Sequence, residues 1–524
     1  MTSTTEQERQ ELHRTIWSIA DDLRGAVDGW DFKNYVIITM FYRYISEDIC
    51  SYLNKNEIKS GNKDFDYEDI PDDKITESLR GEIVKEKGFF IFPSELFSNV
   101  RKRAKNDKDL NVTLQSIFNN IEASAQSGEA RNDFKGLFKE FDVNSNKLGD
   151  TVEKRNEKLI KLLNGIGEMK LGKFQDNSID MFGDAYEFLM AMYASNAGKS
   201  GGEFFTPAEV SELLVHIGTV GKKEIGKIYD PACGSGSLLL KAEKVLGKDN
   251  VDSYYGQEIN ISIYNLCRIN MFLHNINFDK FDIACGDTLI SPYHKCNYEK
   301  DKFDLIVSNP PYSIKWEGDL NPLLINDERF SPAGVLAPKS KADLAFVMHC
   351  LYCLSNSGAA VIICFPGVLY RGGAEYKIRK YLVDNNYIDC IIQLPSNLFF
   401  GTSIATSIMV LKKNKKHPQD FLFIDASKEF FKVTNKNKLT AENINNIVNT
   451  FKERRTVAHY AYLATKDEIV NKDYNLSVSN YVEEKDFREK IDIKKLNADL
   501  ENIVKKVDEL RENIRNIIQE IENE

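Results

Sequence analysis

Between about residues 180 and 415, short apolar runs alternate with helical stretches, and no other feature of the chain restricts its fold so strongly. The candidate strands are residues 227–229, 252–257, 281–284, 303–308, 359–365, 388–393 and 407–411. Helical stretches separate most of them. Parallel strands cannot be joined by a tight turn, so strand–helix alternation reads as a parallel sheet with helices in the crossovers. The expected class is α/β with a mostly parallel sheet. Ligands bind such sheets outside the carboxyl ends of the strands. Every motif below lies at such an end, or in the segment leading into the first strand.

The flanks differ in character. From about residue 8 to about 170 the apolar spacing is mainly helical. Leu12, Ile16, Ile19 and Leu23 share one helix face, and Phe32, Tyr35, Val36, Thr39, Met40 and Tyr44 suggest a second helix. Asp28-Gly29-Trp30-Asp31 between them carries turn and N-cap residues, and the charged, aperiodic stretch 54–73 reads as a surface loop. Near the C-terminus, Ile493, Leu496, Leu500, Ile503, Val507, Leu510, Ile514, Ile517 and Ile521 recur at alternating three- and four-residue spacing. This is an a/d seam over about four heptads. Such a helix packs on its own domain or against another chain, and its place at the C-terminus after polar sequence favours another chain. A length of 524 residues calls for more than one domain. The expected division is a helical 1–170, an α/β 171–480 and a coiled-coil-like helix over 481–524.

Composition narrows the setting. No run approaches the roughly 18–20 apolar residues of a membrane-spanning helix. The N-terminus lacks the basic and apolar regions of a secretory signal. The nine cysteines lie mostly in apolar runs, which fits buried thiols in a reducing cytoplasm. A net charge of −10 argues against a chain that grips DNA unaided, because phosphate contacts dominate that affinity. Lys412, Lys413, Lys415 and Lys416 form a local basic patch within it. Cys350-x-x-Cys353 has redox or zinc spacing but sits in the apolar helical run 342–354 without a second pair. Core packing is expected there, and no metal.

Four segments carry chemistry. After the first strand, Asp230-Pro231-Ala232-Cys233-Gly234-Ser235-Gly236-Ser237 sets an acid, a glycine turn and a helix start in succession. Glycines admit a ligand close to the backbone, and helix-terminal N–H groups favour an anion. The run lacks the Gly-Lys-Ser/Thr of a phosphate loop, and Leu239 stands where a dinucleotide fingerprint needs its third glycine. An acid for an ammonium and N–H groups for a carboxylate suit an amino-acid moiety, as in S-adenosylmethionine. The alternative is a purely structural turn. Glu258, ending the second strand, suits a ribose diol or a helix N-terminus. Asp287, ending the third, suits the adenine amino group of the cofactor or a helix cap.

The fourth segment, Asn309-Pro310-Pro311-Tyr312, follows a buried-looking strand and is the most specific. Two prolines stiffen the turn and remove two backbone donors, leaving carbonyls to accept from something else. The Asn309 amide oxygen and the Pro310 carbonyl suit the two hydrogens of a planar amine, with Tyr312 on its face. Held in this way, the nitrogen lone pair is aimed at a methyl donor. Substitution at a sulfonium then needs proximity and in-line orientation, and neither a strong base nor a metal.

The Asp230–Gly236 run and Asn309-Pro310-Pro311-Tyr312 together resemble the amino-methyltransferases of DNA. Gly202-Glu203-Phe204-Phe205-Thr206-Pro207 narrows the resemblance to adenine-N6 enzymes, particularly the modification subunit of type I restriction–modification systems. The helical N-terminal third, Gly367-Val368-Leu369-Tyr370-Arg371-Gly372-Gly373 and Leu394-Pro395-Ser396-Asn397-Leu398-Phe399-Phe400-Gly401-Thr402 resemble that subunit too. One mild departure is Ser235-Gly236-Ser237, where some members carry Thr-Ala-Gly.

The resemblance implies a Rossmann-like class I methyltransferase sheet. It implies that S-adenosylmethionine is bound by Glu203, Phe204, Phe205, Thr206 and Pro207 with Gly234, Ser235, Gly236, Ser237 and Glu258. It implies that Asn309, Pro310, Pro311 and Tyr312 hold an adenine flipped from the duplex, because the amino group is engaged in pairing inside the helix. Phe400, or its neighbour Phe399, closes the other face of the base. It further implies a specificity subunit that chooses the DNA sequence, two copies of this chain for each such subunit, and a restriction translocase subunit in the full complex. The acidic charge fits this division of labour. A stand-alone adenine enzyme usually carries a target-recognition domain, and none is visible after Lys413. Protein glutamine methyltransferases share the Asn-Pro-Pro-Tyr run but are shorter and lack the helical third and the heptad tail. A non-catalytic assembly subunit has no need of an intact Asn309 and Tyr312.

Overall fold

The computed structural model describes residues 11, 13–19, 29–125, 131–169, 181–196, 206–247, 249–399, 402–416, 420–433, 436–483 and 493–523. The chain divides into two compact units, Met1–Val482 and Glu483–Glu524.

The first unit opens with helices. α1 (Gly29–Lys59) touches α3 (Val152–Glu168) and α4 (Met181–Asn196), and α2 (Leu110–Ser124) touches α3. Tyr35, Val36, Ile37, Ile38, Met40, Phe41 and Tyr42 of α1 are all buried. Apolar residues on every side are what a central helix of a bundle requires. Two sequence expectations are corrected here. Gly29, Trp30 and Asp31 are helical and do not form a turn between helices. The stretch 54–73 is not simply a loop, because α1 runs on to Lys59 and short 3-10 turns follow at Tyr67–Asp69 and Asp72–Lys74. Tyr67 is buried, with its hydroxyl on the Ile91 carbonyl at 2.9 Å. Helix formers such as Lys55, Glu57 and Lys59 extend a helix whose buried turns lie upstream, and they leave no apolar period of their own. Ile16 and Ile19 are buried, while Leu12 and Leu23 lie outside the described residues.

The sheet follows. β1 (Ile225–Asp230), β2 (Val251–Glu258), β3 (Phe281–Cys285), β4 (Phe303–Ser308), β5 (Leu354–Cys364), β6 (Ile388–Gln393), β7 (Ser407–Leu411), β8 (Asp420–Asp425) and β11 (Ala461–Thr465) form nine strands in the order β11-β8-β6-β7-β5-β4-β1-β2-β3. β9 (Phe431–Val433) and β10 (Lys436–Lys438) form a separate hairpin. The pairs β1–β2, β2–β3, β1–β4, β4–β5 and β6–β8 are parallel. The pairs β5–β7, β6–β7 and β8–β11 are antiparallel. The sheet is thus mostly parallel, as its sequence pattern predicts. Each predicted strand lies within or overlaps an observed one. β5 begins earlier than predicted because Leu354 and Ser355 are buried ahead of the exposed Asn356 and Ser357. β8, β11 and the hairpin were not predicted.

Helices α5 (Ala208–Gly218), α6 (Ser237–Leu246), α7 (Ile261–Leu273), α8 (Asp343–Cys353), α9 (Ala374–Asp384) and α10 (Ala441–Glu453) accompany the strands. Cys350 and Cys353 are buried in α8, where they act as core side chains. Three lysines of the run after β7 turn inward and not to solvent as a patch. Lys412 Nζ pairs with Asp389 at 2.9 Å, and Lys413 Nζ donates to the Leu354 carbonyl at 2.5 Å. Lys415 Nζ donates to the carbonyls of Ile388 at 2.9 Å and Asp420 at 3.0 Å. Leu354, Ile388 and Asp420 open β5, β6 and β8, so these cations stitch the amino ends of the strands, opposite the ligand end.

The helical third and the sheet share one core. Phe41 of α1 and Phe134 pack on Phe272 of α7, with ring centroids 5.7 and 4.9 Å away. Arg268 of α7 is 1% exposed and donates to the carbonyls of Asp133 at 3.1 Å and Lys135 at 3.0 Å. A buried acceptor that loses its donor costs about 1–3 kcal/mol. Arg268→Ala is therefore expected to destabilise the protein by roughly 3 kcal/mol. Urea unfolding measures this, and an unchanged midpoint would show that the guanidinium adds nothing net.

The second unit contains α11 (Ile493–Asn523), one helix of 31 residues that carries all nine predicted seam residues.

Candidate active site

A cavity of about 310 Å³ lies at the carboxyl ends of β1 to β4. Asp230, Gly234, Ser235, Ser237, Glu258, Asp287, Asn309 and Pro311 line it together with Thr206, so the predicted motifs converge.

β1 delivers Asp230 at its last position, and the chain then turns into α6. Gly234 (φ 54°) and Gly236 (φ 78°) take the left-handed conformation that glycine adopts without strain. At Gly236 a Cβ would also lie 2.7 Å from Cys267 Sγ. The turn is fastened from outside. Asn270 Nδ2 donates to the Ser235 carbonyl at 2.8 Å, and Thr288 Oγ1 donates to the Pro231 carbonyl at 2.6 Å.

The carboxylates are held in distinct ways. Asp230 Oδ1 accepts from the Ala232 N–H at 3.0 Å and from Ser308 Oγ at 2.8 Å. Burial raises the Asp230 pKa to about 7 against the lowering by these two donors, and Glu258 adds to the rise. Glu258 Oε2 accepts from the Gly234 N–H at 3.1 Å and Oε1 from the Asn260 N–H at 2.8 Å. Each oxygen has a further lone pair. Burial pushes the Glu258 pKa up. Asp287 Oδ1 accepts from the N–H groups of Leu289 at 2.9 Å and Ile290 at 3.3 Å, so this residue caps a turn while facing the cavity.

Asn309 follows β4, and its amide is oriented on both sides. Nδ2 donates to Thr206 Oγ1 at 3.0 Å, and Oδ1 accepts from the Tyr312 hydroxyl at 2.6 Å. Burial holds the Tyr312 phenol well above its usual pKa, so it stays a donor. The Tyr312 ring meets Phe399 edge to face, with centroids 6.5 Å apart at 84°. Phe399 is buried. Phe400 lies outside the described residues, as do Glu203, Phe204 and Phe205. Pro207 caps α5, its carbonyl accepting from the N–H groups of Val210 and Ser211, each at 3.0 Å.

Several residues of the site have no motif to mark them. Ser313 leaves the Asn309-Pro310-Pro311-Tyr312 turn at φ 51°, and its N–H donates to both oxygens of Asp343, at 3.2 and 3.1 Å. The Ala342 N–H donates to the Ile314 carbonyl at 2.9 Å, and the Trp316 N–H to the Lys339 carbonyl at 3.0 Å. The turn is thereby clamped to the start of α8. Ile314, Lys315, Trp316 and Phe346 complete the cavity wall. The available signal was Asp343, an acid opening an otherwise apolar helix.

Behind the wall, Arg329 donates to the carbonyls of Thr288 at 2.8 Å and Leu289 at 2.7 Å and pairs with Asp327 at 2.8 Å. His349 lies 3.3 Å from Arg329 and 3.0 Å from the Tyr229 hydroxyl. Burial, reinforced by Arg329, lowers the His349 pKa to about 3, so this imidazole is neutral at ordinary pH.

Residues 177–490 match the family model described as N-6 DNA methylase, and residues 12–166 match the HsdM N-terminal domain. The chain is 52% identical to the type I restriction enzyme MpnII methylase subunit of Mycoplasma pneumoniae, across 98% of this chain and 97% of that one. It is 30% identical to the type I restriction enzyme MjaVIII methylase subunit of Methanocaldococcus jannaschii, across 96% and 83%. The crystal structure of a type I restriction-modification system methyltransferase subunit from Streptococcus thermophilus aligns with a TM-score of 0.80 at 36% identity, covering 91% of this chain and 100% of that one. A chain from a structure of type I system assembly and conformational transition shares the fold, with a TM-score of 0.62 at 16% identity over 97% and 99%.

Proposed function

We propose, from the premise that this chain belongs to the N-6 DNA methylase family and is a type I restriction–modification methylase subunit, an adenine-specific DNA methyltransferase, that its cavity takes S-adenosylmethionine and that Asn309-Pro310-Pro311-Tyr312 presents the N6 amino group of a flipped adenine to it. The observation that carries this reading is the doubly oriented Asn309 amide at the rim of a cavity lined by three carboxylates and a glycine turn.

The donor set suits the cofactor. Asp230 faces its ammonium, the turn Gly234, Ser235, Gly236 and Ser237 its carboxylate, Glu258 its ribose hydroxyls and Asp287 its adenine amino group. We assign Glu203, Phe204, Phe205, Thr206 and Pro207 to the cofactor as well, and Thr206 of this segment lines the cavity. When bound, S-adenosylmethionine supplies an electrophilic methyl group. Asn309 Oδ1 and the Pro310 carbonyl accept the two amino hydrogens of the base and aim its lone pair. Tyr312 covers one face of the base, and Phe400 or its neighbour Phe399 the other.

Asp230 binds an ammonium only as a carboxylate. With its pKa near 7 in the free protein, cofactor affinity is expected to fall about tenfold per pH unit below about 7 and to level off above it. Calorimetric titration across neutrality measures this, and a flat profile would remove Asp230 from the role.

We assign sequence choice to a specificity subunit, with two copies of this chain for each, and a restriction subunit in the full complex. In this reading 1–170 is the helical domain, 171–480 the catalytic domain, and 481–524, which includes α11, the docking element. The expected location is the cytoplasm, and no helix among the described residues is long and apolar enough to cross a membrane. The test is transfer of a tritiated methyl group to duplex DNA with and without the specificity subunit. Label in adenine only with that subunit is expected. Label without it would point to a stand-alone enzyme, and label only in protein would overturn the reading.

A further inference from the structure

Beside the base pocket stands a hairpin that no motif announces. β9 and β10 pair antiparallel, with Phe431 opposite Lys438, Lys432 opposite Asn437 and Val433 opposite Lys436. Asn437 is buried; its N–H donates to the Asn397 carbonyl at 3.1 Å and its Nδ2 to the Ser396 carbonyl at 2.8 Å. Lys436 Nζ donates to the Phe399 carbonyl at 3.3 Å. These carbonyls belong to the loop that brings Phe399 against Tyr312, so the hairpin is anchored to the wall of the pocket.

Two properties of this ribbon point to a partner. Phe431 is 61% exposed, and Phe430 and Val433 are exposed too. Residues 428–438 also hold Lys428, Lys432, Lys436 and Lys438 against the single acid Glu429, in a chain whose net charge is −10. Opposite residues of a ribbon share a face, so Phe431 and Val433 lie on the same face as Lys436 and Lys438. Apolar rings interleaved with cations suit a phosphodiester backbone, with cations on phosphates and apolar groups on sugars and base edges.

We infer that the β9–β10 hairpin contacts the DNA duplex beside the target base, with Lys438 on a phosphate and Phe431 against sugar and base edges. This rests on the reading of the neighbouring pocket as an adenine site. Lysines also guard exposed strands against edge pairing, and that role makes no prediction about salt.

The test uses the complex of the full chain with its specificity subunit, and fluorescence anisotropy over a salt series on a duplex with the methylation site and on an unrelated duplex. For K438Q the slope of log K against log salt is expected to shrink by about 1, with equal loss of affinity on both duplexes. F431A is expected to weaken binding about fivefold or more without changing the slope. Unchanged slope and affinity in K438Q would overturn the inference. Loss of the specificity subunit from the variant complex at an unchanged slope would mark a protein-docking face and overturn it as well. Methyl transfer by the unmodified complex reads the pocket, whereas the slope difference reads the hairpin, so failure of one is separable from failure of the other.

Discussion

Asn309→Ala is expected to reduce methyl transfer to DNA by at least about 10²-fold while leaving S-adenosylmethionine affinity within about twofold. The substitution removes the acceptor assigned to the amino group and the two hydrogen bonds that orient it, to Thr206 and Tyr312. A misplaced nucleophile loses the in-line geometry on which substitution at a sulfonium depends. Asn309 sits at the rim of the cavity and not in the apolar core, so the fold should tolerate its loss. Asn309→Asp keeps two acceptors, and the Thr206 hydroxyl can turn to donate to one of them. Its defect should therefore be smaller. Single-turnover rates and calorimetric cofactor binding measure both halves of the expectation. Normal DNA methylation by Asn309→Ala would remove the central residue of the mechanism.

Ending the chain at about residue 485 is expected to abolish capture by the specificity subunit while cofactor binding persists. The nine a/d residues of α11 form one apolar stripe, and each Leu or Ile buried in a seam is worth about 1.5–3 kcal/mol before ordering is deducted. Losing all of them exceeds what an ordinary interface can absorb. The cavity at the carboxyl ends of β1 to β4 is lined wholly by residues of Met1–Val482, which is compact in itself. Leu500→Asp with Leu510→Asp tests the stripe without shortening the chain, since two charges in a dry seam oppose packing. Pull-down of the specificity subunit at wild-type strength by the truncated chain would refute the docking role.

What the sequence revealed and what it concealed separate along a physical line. β1 to β4 and the segments after them were legible because each carries a short apolar stretch and its ligand-facing end is marked by glycine, acid or proline in the next few positions. Asp230, Gly234, Glu258, Asp287 and Asn309 are therefore local signals, and they meet at one cavity. Trp316 reaches the same cavity along a loop and Phe346 from the first turn of α8, and no spacing in the chain encodes that meeting. The same holds for the Thr206–Asn309 contact and for the grip of Asp343 on Ser313. β8 was overlooked although Phe421, Leu422, Phe423 and Ile424 are all buried, because a short apolar run among polar residues is ambiguous without its neighbours. The hairpin was hidden by its lysines, which weaken any reading as strand. Charge counting favoured Lys412 and Lys415, yet their side chains turn inward onto Asp389 and onto carbonyls, a distinction that only burial can make.

β7 runs against both β5 and β6. The connection from β6 into it, residues 394–406, therefore leaves and re-enters the sheet on one rim, the rim that carries Asn309 and Tyr312. Lineages can lengthen or shorten that arch, or alter what leans on it, without shifting the pairing of any strand. The exposed Ser403 and Ile404 are where such variation costs least, so a library randomised there should keep its folding yield, whereas one randomised at the buried Leu394, Leu398 and Phe399 should not.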